Sequence, residues 1–445
     1  MAAYLTKTLG TPTDNLKWTF SGWFKIGGMS GDRGIFALGD NSTDFTRVNM
    51  NGNGAIEFDN KVGSSFDGRR MTSAYHRDPG SWYHVVAVFD SANVTGDDRQ
   101  ILYVNGSRIT ALGTDIDPSA SAASGNTSSK NVRLSVMETS SYFTGSMAHV
   151  HFCDGYAYAA SDFGETDSTS GIWVAKTSPS VSYGNNGFFL KFQDTSAFGD
   201  DSSGNNNDMT MSGTITQTKD TPDNNFCTMN FLDNYYQAAT FSNGNNTVVT
   251  ANNAPSLGTM GVESGKWYWE AKAVSASSGG SDYLVGVSSS QLESAAKELG
   301  NYVNDYGYAA SGNLRNDDGN TAYGNTYAAG DIIGVALDLT NMNLYFSKNG
   351  TWQNSGDPTS GATGTGAIDI TQGAYITNPL NAWFPAVCGD SNGQNYTWST
   401  NFGNGYFGTT AVSSAESDDA GIGSFEYDVP AGYYAICTDN LGDQS

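Results

Sequence analysis

Charge is scarce in this sequence, and positive charge scarcest. Only 15% of the 445 residues are charged, and 21 Lys and Arg stand against 45 Asp and Glu, a formal net charge of −24. Such a chain repels phosphate backbones, which argues against nucleic-acid binding. Cysteine is nearly as sparse. Cys153, Cys227, Cys388 and Cys437 are scattered and form no CxxC pair, so neither a zinc ribbon nor a disulfide framework is expected. They read as reduced, small apolar side chains, with Cys227 and Cys437, near the two ends of the second half, as candidate neighbours. No apolar run approaches the roughly 20 residues of a transmembrane helix. The opening MAAYLTKTLGTPTDNLKWTF lacks the apolar stretch of a signal peptide, so synthesis in a cytoplasm without membrane insertion is expected. Helical periodicity is almost missing, residues 291–299 being a weak exception that suits one short helix.

What remains is rich in glycine, with 54 residues, and in aromatics, at 12%. Gly and Asn supply the positive φ that tight turns need, so the profile fits many short strands joined by turns. Trp18, Phe20, Phe24 and Ile26 share one face of an early strand, while Thr19, Ser21 and Lys25 share the other. The run from Trp82 to Phe89 is apolar on both faces, as a central strand should be. Asn105-Gly106 and Asn349-Gly350 each separate two strand-like runs, the strongest short-range hairpin signal. Residues 266–273 alternate, and residues 331–339 read as another buried strand. A polar, turn-forming stretch lies between the halves, from Asp200 to Asn225. These patterns predict an all-β chain of two β-sandwich (jelly-roll) domains in tandem, spanning 1–222 and 223–445.

Several motifs then point to families. WTFSGWFKI (18–26), RDPGSWYHVVAVFD (77–90), ILYVNGSRI (101–109) and the block 142–173 resemble laminin-G-like, concanavalin A-like domains. With YGNNGFFLKFQDTS (183–196) and DDSSGNNND (200–208), that half resembles more closely the N-terminal domains of proteins common in marine phage genomes. SGKWYWEAKAV (264–274), YLVGVSSS (283–290), residues 328–352, WFPAVC (383–388), NFG (401–403) and YDVPAGYYAICTDNL (427–441) resemble SPRY domains. The resemblance implies a non-enzymatic virion protein, most plausibly a tail fibre or other surface appendage that recognises a host-surface glycan or protein. It would be made in the host cytoplasm and would bind other virion proteins. A homo-oligomer follows from the symmetry of such assemblies, with a trimer favoured. A purely structural head decoration or connector is the alternative, and a polysaccharide depolymerase a third reading. Both folds host many tasks, so the site must decide.

Glucanases of the concanavalin A-like fold resemble one another in a Glu-x-Asp-x-x-Glu strand, whose paired carboxylates sit about 5 Å apart for retaining hydrolysis. Here Glu57 and Asp59 are followed by Val62, and Glu426 and Asp428 by Ala431, so the motif is broken and Glu57 and Asp59 read as solvent-face residues. His149, His151 and Cys153 alternate along one strand and would project from one face, a row that in principle ligates zinc but more simply fills a sheet face. His76 and His84 are isolated, and no nucleophile motif stands out. Asp194, Asp200, Asp201 and Asn205, with Asn207 and Asp208, form an oxygen-rich segment that suits calcium better than zinc; the same residues suit an ordinary linker of Asx turns. For a glycan, the stretch 302–327 offers Tyr306, Tyr308, Asn316, Asp317 and Tyr323, with Trp352 just past its hairpin as a sixth member. Its tyrosines could equally pack against the sheets.

Overall fold

A computed structural model describes residues 3–40, 43–233, 236–276, 283–290, 296–371, 379–389 and 395–443. The chain divides into two compact units, Met1–Gln217 and Thr218–Ser445. Residues 218–222 go with the second unit because it holds them. Lys219 Nζ donates to the carbonyls of Ile422 and Gly423, and Asp220 accepts from the Phe226 amide.

The first unit is a sandwich. Among the described residues one sheet runs, strand by strand, through Leu112–Ile116, Ser65–Thr72, Ile56–Val62, Phe45–Met50, Arg33–Gly39, Asn131–Leu134, Tyr4–Thr8 and Thr210–Ser212. The other runs through Phe188–Leu190, Gly145–Asp154, Lys17–Ile26, Trp82–Asp90, Gln100–Val104 and Ser107–Arg108. The alternation of Lys17–Ile26 explains the core. Trp18 and Phe20 cross the gap to Phe36 and Phe58, with ring centroids 4.3–5.9 Å apart. Burial of such rings supplies most of a sandwich's stability. Asn105 and Gly106 turn the hairpin at φ +47° and +78°, the left-handed pair its geometry demands.

The opposite face of Lys17–Ile26 is buried as well: Thr19, Ser21, Trp23 and Lys25 are each under 5% exposed. The segment after Asp154 folds back over this side. Its strands Gly164–Thr166 and Trp173–Ala175 pair with each other rather than with either main sheet.

The second unit repeats the layering. One sheet contains Thr240–Ser242, Thr247–Val249, Tyr396–Asn401, Lys266–Ala276, Ile332–Asp338, Asn343–Lys348 and Thr351–Trp352, with Ile368–Asp369 and Tyr434–Ala435 attached. The other contains Ser256–Leu257, Pro379–Gly389, Tyr283–Ser290, Asp305–Ala309, Asn313–Asn316 and Gly319–Ala322. Trp267, Trp269, Ala271 and Ala273 point inward, and the rings of Tyr283 and Trp398 meet edge-on at 5.2 Å. A second cluster, with Tyr268, Tyr345, Phe425 and Tyr433, packs on the outer side of the larger sheet. Cys227 and Cys437 lie on adjacent chains here, but their side chains belong to different clusters, and all four cysteines are buried free thiols. The expected short helix at 291–299 falls largely outside the described residues; the short helix that is described is Thr438–Asp443.

Candidate functional site

The aromatic site expected in the second unit is taken apart by the fold. Tyr306 and Tyr308 are core residues, 3% and 0% exposed, because Asp305–Ala309 is an interior strand with both faces covered. Tyr306 packs against Trp383 at 5.8 Å, and Tyr308 stacks on Phe346 at 5.3 Å. Half-buried Tyr323 accepts a hydrogen bond from the Phe346 amide and meets Tyr308 edge-on. Trp352 instead packs against Tyr268 and Tyr345, in the outer cluster. Phe346 and Tyr345 are neighbours on one strand, so their side chains leave opposite faces. The expected partners Tyr323 and Trp352 are therefore separated by a sheet, and Tyr306 and Tyr308 are buried in the core.

The tyrosines still have a role, as supports. Tyr308 donates to the Asn325 carbonyl, and the buried Tyr327 hydroxyl bonds the carbonyls of Tyr283 and Tyr308. Asn316 Nδ2 reaches the carbonyls of Tyr302, Val303 and Asp305 at 2.8–3.3 Å. Arg315 pairs with Glu298, and Asn301 donates to Asp318 at 2.7 Å. The bonds of Arg315, Asn316 and Asp318 brace a polar hairpin, Asn313–Asn316 and Gly319–Ala322, turned by Asp317 and Asp318 at φ +52° and +57°. Its outer strand is exposed at every position and forms the sheet edge. Of the predicted residues, Asn316 and Asp317 lie on this hairpin.

In the first unit, the reading of Glu57 and Asp59 as solvent-face residues is corrected. Both are buried, in a cross-strand ion network on the outer face of the larger sheet. Arg47 contacts Asp59 at 3.2 Å, and Arg69 bridges Asp59 at 3.2 Å and Glu57 at 3.3 Å. Asn49 and Asn51 donate to Glu57 as well. Burial pushes the Asp59 carboxyl up to about 6, against the pull of Arg47 and Arg69. Carboxylates occupied in this way are not an acid and nucleophile facing a bond.

The oxygen-rich segment is likewise occupied by its own backbone. Asp194 accepts from the amide and hydroxyl of Ser196. Asp201 accepts from the amides of Phe189, Ser203 and Asn207 and from the Ser203 hydroxyl. Asn205 Nδ2 donates to the carbonyls of Gly184 and Gly187. Asp200 is exposed beside them. This is the network of Asx turns that suits a linker. Among the described residues no group of three or more His, Cys, Asp or Glu is gathered to hold a metal.

The histidines are more organised than isolation in sequence suggested. A register shift opposite Lys17–Ile26 places His149 at φ +46°, which breaks the simple alternation through His149, His151 and Cys153. His84 lies fully buried between Trp23, at 4.8 Å, and Trp173, at 6.0 Å. Trp173 Nε1 approaches His84 Nδ1 at 3.0 Å, and an indole N–H only donates. His84 therefore carries its hydrogen on Nε2 and donates it to Ser21 Oγ, 2.8 Å away. That tautomer cannot take a proton from Ser21, so this is no nucleophile and base pair. Burial lowers the His84 pKa to about 3, helped by His149, and holds His151 well below its usual value.

Sequence reasoning missed Glu270. It sits on the outer face of Lys266–Ala276, fully buried, and accepts from the amides of Glu426 and Tyr427, from Tyr268 Oη and from Asn401 Nδ2. Burial raises its carboxyl to about 7 against those four bonds. The signal was one acid inside the otherwise apolar run WYWEA.

Comparison with known proteins agrees with this architecture. Residues 3–161 match the concanavalin A-like lectin/glucanases superfamily model, and residues 266–368 match the SPRY domain model. The chain thus carries a concanavalin A-like domain in its first unit and a SPRY domain in its second. Solved structures with similar folds include the SPRY domain of human HERC1, 19% identical over 39% of this chain and 96% of that one, with a TM-score of 0.28. The native heptameric SAP-like pentraxin from Limulus polyphemus is 16% identical over 40% and 87%, with a TM-score of 0.29. The CBM40 of the Ruminococcus gnavus IT-sialidase, bound to α2,3-sialyllactose, is 16% identical over 32% and 89%, with a TM-score of 0.24. No curated protein matches the chain.

Proposed function

We propose that this chain is a non-enzymatic recognition protein of a phage particle, a tail fibre or other surface appendage that engages a host-surface glycan or protein as a homo-oligomer. The observation that carries the binding role is the braced polar hairpin of the second unit. Asp317, Asp318 and Asn320 are exposed at one short turn, which is held from beneath by the Asn316 side-chain amide on the carbonyls of Tyr302, Val303 and Asp305 and by the Asp317 and Asp318 amides on the carbonyls of Tyr302 and Gly300. A rigid surface rich in donors and acceptors recognises polar partners at little cost in ordering. The two matched families, one of them a superfamily of lectins and glucanases, support a binding role. The placement in a virion rests on the sequence resemblance of the first half.

The test is binding of the full chain to purified host surface polysaccharide and to intact host cells, with calcium and with chelator. Saturable binding that Asp317→Ala with Asn320→Ala reduces at least about tenfold, the loss of roughly 1.4 kcal/mol, supports the reading. Binding that ignores the hairpin moves the recognition surface elsewhere. No binding to either target favours the structural decoration or connector, and release of new sugar ends from the polysaccharide would overturn the non-enzymatic assignment.

A further inference from the structure

We infer that residues 160–183 of the first unit form an acid-released flap, pinned to the sheet by two histidines that must stay neutral. The flap's two short strands pair only with each other, so apart from the Asp154 amide, which donates to the Tyr183 carbonyl at its end, side chains fasten it to the sheet beneath. Trp173 is the main fastening. Its ring lies over Gly106 and Gly164, where a built Cβ would come within 2.6 and 2.5 Å of it, and its Nε1 donates to His84. Tyr183 is the second, its hydroxyl 3.0 Å from His151 Nδ1. Phe163 packs against the His151 ring at 5.2 Å.

Protonation opposes the Trp173 fastening directly and the closed state at His151 through burial of the charge, since the Tyr183 hydroxyl can still accept from a charged ring. An imidazolium is a donor at both nitrogens. On His84 it would set a new N–H against the indole N–H of Trp173, two donors facing at 3.0 Å. On His151 it would leave an N–H at Nε2, an atom that is buried without a hydrogen-bond partner among the described residues. Stacking on Trp23 would favour a charged His84, yet that gain does not offset burying the charge.

Among the described residues no hydrogen bond brings a counter-charge to either ring. His84 bonds Ser21 and Trp173, and His151 bonds Tyr183. The groups that act on them are cations or near-neutral. His149 of Gly145–Asp154 bears on both rings, His84 opposes charge on His151, and so does Lys191, just beyond Phe188–Leu190. Cys153 beside them is held as a neutral thiol by burial, with Asp162 of the flap bearing on it, and burial likewise keeps the Tyr183 hydroxyl neutral.

With the flap closed His84 titrates near 3, and with it open near its ordinary 6.5. Closure is therefore unopposed above about pH 6.5 and weakens as the pH falls. At pH 4.5, two units below the open value, His84 alone favours opening by about a hundredfold. Opening would uncover Ser21, Trp23, His84 and Cys153, an aromatic sheet face otherwise hidden.

Hydrogen exchange of the full chain, corrected for intrinsic rates, tests this between pH 7 and 4.5. Protection of residues 160–183 should fall about a hundredfold or more while Lys17–Ile26 and Trp82–Asp90 stay protected. His84→Gln with His151→Gln, whose amides cannot titrate, should make flap protection independent of pH. Flap protection that does not change with pH, that changes equally in the double variant, or that is lost only together with the sheet would overturn the inference. Should the double variant fail to fold, ring NMR of the unmodified protein decides. The His84 and His151 signals must titrate in step with flap opening, and rings that stay neutral while the flap opens would sink the idea.

Discussion

The two units solve the same layering problem with different polar groups beneath the returning chain. Both fold a strand whose second face is buried, Lys17–Ile26 in one and Lys266–Ala276 in the other, under chain that returns from elsewhere. The first unit holds all four histidines and 15 of the 21 cations against 22 acids, a net −7; the second holds six cations against 23 acids, a net −17. Under its returning chain the first buries neutral bases, His84 and His151, and the second buries an acid, Glu270. A polar group on a doubly covered strand face anchors whatever covers it, and its protonation chemistry then sets how that anchor responds to pH.

The largest test of that contrast removes the acid. Glu270→Ala leaves two backbone amides, Tyr268 Oη and Asn401 Nδ2 without their acceptor. It should cost the second unit about 3–5 kcal/mol, the combined penalty of several buried donors left unsatisfied, and leave the first unit's calorimetric transition in place. A loss shared by both transitions would show that the units do not unfold separately.

The pH response comes next. In the first unit the two histidines have lowered folded pKa values, so their stabilisation is complete above 6.5 and drains as the pH falls. Asp59, raised to about 6, opposes one of them. In the second unit Glu270, raised from 4.5 to about 7, and Asp233, raised to about 6, take up protons on folding, so stability grows as the pH falls from 7 toward 4.5. Calorimetry at pH 6.5 and 4.5 should move the two transitions in opposite directions. His84→Gln with His151→Gln should cancel most of the first shift, and Glu270→Gln most of the second.

Smaller effects sharpen the picture. Gly106→Ala adds a Cβ at φ +78° within 2.6 Å of the Trp173 ring. It should cost about 1–3 kcal/mol and loosen the flap at neutral pH, read as lost protection over residues 160–183. Tyr308→Phe removes the hydroxyl that holds the Asn325 carbonyl. It should cost about 1–2 kcal/mol in the second unit's thermal unfolding, whereas Asn320→Ala, exposed on the hairpin's outer strand, should cost within about 0.5 kcal/mol.

Much of the fold was legible because strand chemistry is local. Alternation in Lys17–Ile26 and the two Asn-Gly turns report directly on one strand and its neighbour. The candidate site was not, because exposure is a property of what lies above a residue. Tyr306 and Tyr308 read the same whether a strand sits at an edge or inside a sheet, and only the position of Asp305–Ala309 between two other strands buries them. Tyr323 and Trp352 sit close in sequence, yet the sheet passes between them. Glu57 and Asp59 look like water-facing acids until Arg47 and Arg69 arrive from the flanking strands.

By itself, then, the sequence determined the class: short alternating strands, glycine and asparagine turns and aromatic inward faces, enough for two tandem sandwiches. The tertiary structure alone decided which polar groups are occupied. Periodicity assigns a side chain to a face, but burial, hydrogen-bond partners and pKa depend on the distant segment that closes over that face, such as residues 160–183 over His84 or 424–427 over Glu270.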